Sequence, residues 1–203
     1  MKVVQDHYFK KAKQEGYVAR SAFKLEEIDQ KQNLIRPGHN VLDLGCFPGS
    51  WLQYISKKVG PKGAVLGIDI QDLEIALSPN MSFLHHDILE LDLESLAPYG
   101  PPFDLILSDM APSTTGNKHT DGARVLGLNQ MALFTASRWL KTGGNCLIKA
   151  FHGQAFEPLL AQMKTEYTKT KTFKPKSSRK ESKEIFLFGE GKKAIKPSNQ
   201  ADE

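Results

Sequence analysis

Short apolar runs alternate along the chain with longer stretches in which apolar residues recur every three or four positions. Runs of the first kind predict buried strands, and stretches of the second kind predict amphipathic helices. The predicted strands are residues 41–44, 64–70, 81–85, 103–109, 145–151, 168–173 and 184–189. The predicted helices are residues 21–32, 51–59, 125–139 and 156–167. Strands that alternate with helices favour an α/β layered sheet with its ligand at the carboxyl ends of the strands.

One junction between a strand and a helix has the composition of a ligand-binding turn. After the strand at 41–44 the chain reads Gly45-Cys-Phe-Pro-Gly49, and the next helix opens at Trp51. Glycine lets a backbone approach a ligand closely. Asp69 ends the second strand, where an acidic residue hydrogen-bonds ribose hydroxyls in nucleoside sites, although it could instead cap a turn. The pattern therefore predicts a nucleoside pocket.

The composition is that of an ordinary soluble globular protein with a slight excess of positive charge. The 203 residues carry a formal net charge of +4, which permits a nucleic-acid partner without requiring one. Cys46 and Cys146 show no metal-ligand spacing, so we expect reduced thiols and no metal. No apolar run approaches the roughly 18 residues of a membrane span. With no secretory signal either, we expect a cytoplasmic monomer without a membrane partner.

Two segments concentrate the positive charge. Residues 1–19 place lysines beside His7, Tyr8, Phe9 and Tyr17, a composition that suits RNA but also a solvated first helix. Residues 164–183 are strongly basic, and 174–183 have the composition of an exposed loop. We predict one domain over residues 1–189, with 1–19 as a basic RNA-binding segment, and a disordered polar tail at 190–203.

The turn favours a ligand without a pyrophosphate. Phe47 stands where a dinucleotide fingerprint has its second glycine, which weakens the nicotinamide or flavin interpretation. S-adenosylmethionine carries a nucleoside and an amino-acid end but no phosphate, so it fits better. Carboxylates near its sulfonium and amino groups would be favourable.

Four charged residues are placed where they could act on an alcohol. Asp109 and Lys149 end or follow predicted strands, Lys24 precedes the first strand, and Glu184 opens the last one. Glu184 reaches the same rim only if its strand runs antiparallel. Helical periodicity alone predicts that Lys24 lays its stem on the core and sends its ammonium to water. A lysine can take a hydroxyl proton only if its pKa falls from about 10.4.

Five motifs in order resemble those of the FtsJ-like ribosomal RNA uridine-2′-O-methyltransferase family. Residues 17–28, which read R-S-A-F-K-L-E-E-I from position 20, resemble its R-S-x-(A/W)-F-K-L-x-E-I segment, and residues 42–51 match its L-D-L-G-x-x-P-G-x-(W/F) loop. The other three are S-D-M-A-P at 108–112, K-x-F at 149–151 and S-x-E at 182–184. The resemblance extends from His7 to Gly189. It departs at Ser50, where many relatives have glycine, and at His152, where glutamine is common.

The resemblance implies a Rossmann-like class I methyltransferase fold, with a seven-stranded, mostly parallel sheet, an antiparallel last strand and helices on both faces. It implies Lys149 as the base or orienting group for a ribose 2′-hydroxyl, with Lys24, Asp109 and Glu184 completing a catalytic tetrad. S-adenosylmethionine is the implied cofactor. The positions implied to hold it are Gly45, Pro48, Gly49, Trp51, Asp69, Asp87 and Asp109.

The implied substrate is a ribose, of a uridine, in ribosomal RNA within the large ribosomal subunit, whose assembly the modification would support. Three alternatives remain open at this point. The same tetrad would suit a 2′-O-methyltransferase that acts on transfer RNA or an mRNA cap. The basic segments would suit a non-catalytic RNA-binding assembly factor, although such a factor needs no tetrad. The third alternative, a nicotinamide oxidoreductase, is disfavoured by Phe47.

Overall fold

The computed structural model describes residues 2–112, 116–153, 156–179 and 181–194, without the side chains of 2–6, 118 and 119. Within these ranges seven strands form one sheet. They are β1 (Asn40–Leu44), β2 (Ala64–Asp69), β3 (Met81–His85), β4 (Phe103–Ser108), β5 (Leu140–Phe151), β6 (Tyr167–Phe173) and β7 (Glu184–Lys192). Their order is β3-β2-β1-β4-β5-β7-β6. β1 to β5 are parallel, and β7 runs antiparallel to both of its neighbours.

Helices cover both faces of the sheet, as predicted. They are α1 (Lys2–Gln14), α2 (Ala22–Gln32), α3 (Ser50–Val59), α4 (Lys118–Trp139) and α5 (Phe156–Glu166), with a 3₁₀ helix at Leu93–Tyr99. The core on one face contains residues of α2 and α3, and the core on the other contains residues of α4 and α5. Because both faces are covered, strands such as β1 are apolar along nearly their whole length.

The alternation of side chains along β1 shows how the two cores are built. Val41 packs in the core beneath α2 and α3, whereas Leu42 and Leu44 pack in the core beneath α4 and α5. β5 begins at Leu140 rather than at residue 145. Its register with β4 shifts there, so that the glycines after Leu140 form a bulge instead of a turn between helix and strand.

The final strand extends further than the sequence predicted. β7 ends at Lys192, so the prediction of a disordered tail from residue 190 is wrong for residues 190–192, and its part from 195 onward lies outside the described residues. The buried Lys192 ammonium donates hydrogen bonds to the carbonyl oxygens of Ala136 (2.9 Å), Ser137 (2.6 Å) and Leu140 (2.8 Å). These carbonyls lie where α4 ends, and a cation is favoured at a helix C-terminus.

We expect Lys192→Met to lower the free energy of unfolding by about 2–4 kcal/mol, because it leaves carbonyl oxygens buried without a donor. Urea unfolding measures this loss. Lys62→Met, at an exposed position of the 60–63 turn, is the matched control and should change stability by less than about 0.5 kcal/mol. Equal stabilities for the two variants would contradict the capping role of Lys192.

Candidate active site

Two ion pairs lie at the edge of the sheet where β4 and β5 end and β7 begins. The Lys149 ammonium on β5 is 2.8 Å from Asp109 Oδ1 and also donates to the Asp109 carbonyl oxygen. The Lys24 ammonium, in the first turn of α2, is 2.8 Å from Glu184 Oε1 and 2.9 Å from Oε2. The structure therefore brings together all four charged residues that the sequence singled out.

The direction of β7 decides where Glu184 lies. Because β7 is antiparallel to β5, its first residue pairs with Phe151 at the end of β5, and Phe186 pairs with Lys149. Glu184 and Phe186 are two positions apart and so share a face of the sheet. The sequence predicted that Glu184 reaches this rim only if the last strand runs antiparallel, and β7 does run antiparallel to β5.

The four side chains are largely withdrawn from water, with exposed fractions between 8% and 17%. Burial raises the pKa of Glu184, but hydrogen bonding from Lys24 and the nearby charges of Lys24 and Lys149 outweigh it, and the net pKa lies below the usual value. Glu184 therefore remains a carboxylate at neutral pH. The expectation that the Lys24 ammonium points to water is wrong, because Glu184 lies within reach of its stem.

The start of α2 is tied to the glycine turn. Ser21 stands at the N-cap position of α2, yet its hydroxyl makes no capping bond and instead lies 2.7 Å from the Ser50 hydroxyl. The Trp51 indole N–H donates to the Ser21 carbonyl oxygen at 2.9 Å. These bonds join the helix that carries Lys24 to the helix that follows the turn.

The glycine turn is packed against the residues around it. Gly45 has φ +77°, and a Cβ there would lie 2.6 Å from Met110 Cγ and 2.9 Å from Met110 Cα. Gly49 has φ +113°, and its Cβ would lie 2.7 Å from Ile75 Cδ1. The Pro48 carbonyl accepts a hydrogen bond from the Glu74 amide at 3.1 Å. A side chain at position 45 or 49 would therefore collide with Met110 or Ile75, so at these two positions the turn offers only its backbone next to Asp109.

Trp51 and Asp69 contribute to this turn differently. The Trp51 ring is buried against Phe186, so what it can offer a ligand is its backbone N–H in the first turn of α3. The Asp69 carboxylate accepts backbone N–H groups of Phe47 and Gln71, both at 2.9 Å. Each oxygen keeps a free lone pair, so the turn-capping role and a ribose-binding role are compatible.

Asp87 and two apolar side chains border the same rim. Asp87 follows β3 and accepts the Leu89 amide at 2.9 Å. Ile70, directly after Asp69, is 60% exposed, and Leu89 is 51% exposed. Large apolar side chains exposed beside polar groups are typical of ligand sites.

Asp43 is a candidate functional residue that the sequence analysis missed. It is buried in β1 beneath the turn, and within the described part of the chain neither of its carboxyl oxygens has a hydrogen-bond partner. Burial raises its pKa well above the usual range, and the charges of Asp109 and Asp69 raise it further. The signal was an aspartate inside an apolar strand, because buried carboxyl groups normally have partners.

The described residues contain neither a metal-ligating cluster nor a helix suited to a membrane. Among residues 2–112, 116–153, 156–179 and 181–194, no group of three or more His, Cys, Asp or Glu side chains could hold a metal ion. No helix in the same ranges is both long and apolar enough to cross a membrane.

The chain is similar to known proteins over nearly its whole length. Residues 17–192 match the model of the FtsJ-like methyltransferase family. Two relatives are named ribosomal RNA large subunit methyltransferase E. The one from Bdellovibrio bacteriovorus is 50% identical over 192 residues, covering 93% of this chain and 97% of its own. The one from Oleidesulfovibrio alaskensis is 48% identical over 198 residues, covering 96% and 95%.

A solved structure extends the similarity to the fold. It is a Plasmodium falciparum protein assigned as a ribosomal RNA methyltransferase, with a TM-score of 0.77 and 28% sequence identity. The match covers 88% of this chain and 100% of that one.

Proposed function

Because this chain belongs to the FtsJ-like methyltransferase family, we propose that it transfers a methyl group from S-adenosylmethionine to a ribose 2′-hydroxyl of large-subunit ribosomal RNA. One observation carries the proposal. The Lys149–Asp109 and Lys24–Glu184 pairs converge at the sheet edge directly beside the glycine turn. Two lysines and two acids beside a methyl-donor site are suited to activating an alcohol. We propose uridine as the nucleotide that carries this ribose because the motifs resemble those of the uridine-2′-O-methyltransferase family.

The residues around the turn fit S-adenosylmethionine. The Asp43 carboxyl, which is buried without a hydrogen-bond partner among the described residues, and the nearby Asp109 suit a ligand with positive charge at its sulfonium and amino groups, because a bound cation would lower the raised pKa of Asp43 and favour its charged form. Asp69 would bind the ribose hydroxyls of the cofactor. Asp87 would contact its adenine ring, beside the exposed side chains of Ile70 and Leu89. The backbone of the turn would make the remaining contacts, through Gly45, Pro48, Gly49 and the amide of Trp51.

When bound, S-adenosylmethionine supplies an electrophilic methyl group. The chain's contribution is to hold the attacking hydroxyl in line with it, at a reacting distance of about 3 Å. In this proposal the neutral amine form of Lys149 orients the ribose 2′-hydroxyl and receives its proton, becoming the ammonium, and Asp109 fixes the position of the Lys149 side chain. The Lys24–Glu184 pair forms the other wall of the site. General-base assistance of this kind contributes roughly 10²–10⁴-fold to a rate.

The substrate is tested by following a labelled methyl group. The protein is incubated with labelled S-adenosylmethionine and ribosomal subunits from a strain that lacks the protein, and the label is mapped. We expect it on a single ribose of the large-subunit RNA, recovered as a 2′-O-methyl nucleotide. Label on transfer RNA would instead favour the sister enzyme. RNA binding without any transfer would favour the assembly factor.

A further inference from the structure

One side of α2 holds the basic loop, defined here as residues 174–179, through contacts that methyl transfer does not use. The Glu27 carboxylate accepts the backbone N–H groups of Lys176 at 2.7 Å and of Ser177 at 2.9 Å. The Arg20 guanidinium donates to the Ser177 carbonyl oxygen. Arg20, just before α2, and Glu27 within it therefore contact the same part of the loop, and Lys24, three residues before Glu27, lies on the same side of the helix as Glu27.

The basic loop is therefore not the freely exposed segment that its composition predicted. Ser177 and Ser178 are buried, and the Ser178 amide closes a turn onto the Pro175 carbonyl at 3.1 Å. The side chains of Lys174, Lys176 and Arg179 remain exposed around this buried backbone. Lys180, which belongs to the same predicted run, lies outside the described residues. The loop backbone is thus held in place while its positively charged side chains reach the surface.

The loop and the active site share a cavity. It has a volume of about 470 Å³ and lies between the start of α2 and the segment that leads into β7. Arg20 and Lys24 line one side of it, and Arg179 and Glu184 line the other. Lys24 and Glu184, which line this cavity, belong to the active site. A nucleotide whose 2′-hydroxyl reaches Lys149 would therefore have its 3′-phosphate near the cavity, because the 2′-oxygen and the 3′-phosphate are on adjacent carbons.

We propose that Glu27 is a positioning residue for RNA, which fixes the backbone of the basic loop so that Lys174, Lys176 and Arg179 face the phosphates of the substrate. This proposal rests on the proposed function, since it assumes an RNA substrate. Glu27 stands at the E position of the motif at 17–28 and has no role in the tetrad. Its two bonds order the loop before RNA arrives, so that binding does not have to supply that ordering.

The charge of Glu27 and its contact with the loop predict opposite effects on RNA affinity, so the direction of the change distinguishes them. Removing a carboxylate near a polyanion should strengthen RNA binding. Removing the residue that orders the loop should weaken it. Glu26 is the matched control, because it carries the same charge one position earlier on α2 and accepts no hydrogen bond from the loop within the described residues.

The experiment compares Glu27→Ala with Glu26→Ala in the full chain, using a fragment of large-subunit ribosomal RNA. For Glu27→Ala we expect the RNA Kd and the KM for RNA to rise about tenfold, with kcat changed less than about threefold. The slope of log affinity against log salt should fall by about one for each phosphate that the variant no longer neutralises. Glu26→Ala should bind RNA as tightly as the parent protein or more tightly. S-adenosylmethionine affinity should be unchanged in both.

Glu27→Gln keeps one acceptor oxygen and should give an intermediate RNA affinity, which also serves if the alanine variant fails to fold. Equal RNA affinity for the Glu27 and Glu26 variants would overturn the proposal, and so would a fall in kcat at unchanged KM. The binding measurement needs no methyl transfer. If the parent protein bound RNA without methylating it, the proposed function would fail, while the comparison of variants would still decide the role of Glu27.

Discussion

Replacing Lys149 with alanine is expected to abolish detectable methyl transfer, while S-adenosylmethionine still binds. A positioned base contributes roughly 10²–10⁴-fold to a rate, so the loss should be at least of that size. Lys149 is buried and lies 2.8 Å from Asp109 Oδ1, with its stem on a strand whose backbone is fixed by two neighbours. The truncation removes the amine without moving the glycine turn. Transfer of labelled methyl groups measures the first effect, and calorimetric titration with S-adenosylmethionine measures the second.

The same two strands provide the control. Lys141, near the start of β5, forms an ion pair of 2.7 Å with Asp104, near the start of β4. Lys141→Ala therefore removes a lysine from a more exposed ion pair between the same two elements, at the opposite edge of the sheet, and it should transfer methyl groups normally. Lys149→Arg keeps the charge but cannot accept a proton, so it should remain inactive. Near-normal transfer by Lys149→Ala would sink the assignment of Lys149 as the base.

The four residues of the site differ in how far the sequence could place them. Asp109 directly follows a parallel strand with a clear apolar pattern and Lys149 lies on another, so the sheet edge that carries them follows from the order of the elements. Glu184 could be placed only once the direction of β7 was known, and that direction is set by pairing with β5 and β6. Lys24 flanks a buried helical stripe, and its periodicity is that of an ordinary lysine.

Other residues could not be predicted because their partners are distant in the chain. Glu27 bonds to backbone groups 149 and 150 positions away. Lys192 bonds to carbonyls more than 50 positions away, and nothing in its local sequence distinguishes it from the lysine that follows. Asp43 did have a local signal, since a charged residue within an apolar strand needs a partner or a ligand. Local pattern thus predicted the strands and helices, whereas contacts between them determine these roles.

Gly45→Ala is expected to weaken S-adenosylmethionine binding by more than tenfold and to lower the free energy of unfolding by about 2–4 kcal/mol. The added Cβ would meet the Met110 backbone at 2.9 Å. Neither backbone segment can shift easily, because the Gly45 amide donates a hydrogen bond to the Ile68 carbonyl oxygen and the Asp109 amide donates one to the Leu44 carbonyl oxygen. The turn and the residues after β4 must therefore move apart. Titration calorimetry and urea unfolding measure the two losses.

Gly38→Ala separates this close approach from simple backbone strain. Gly38 has φ +83°, close to the +77° of Gly45, but a Cβ there would have nothing within 4 Å. It should cost only the strain of a left-handed residue, about 1–2 kcal/mol, and leave S-adenosylmethionine affinity unchanged. If both variants bound S-adenosylmethionine equally, contact between Gly45 and Met110 would not shape the site. A loss confined to Gly45→Ala would mean that the close approach of Gly45 to Met110 shapes the proposed S-adenosylmethionine site.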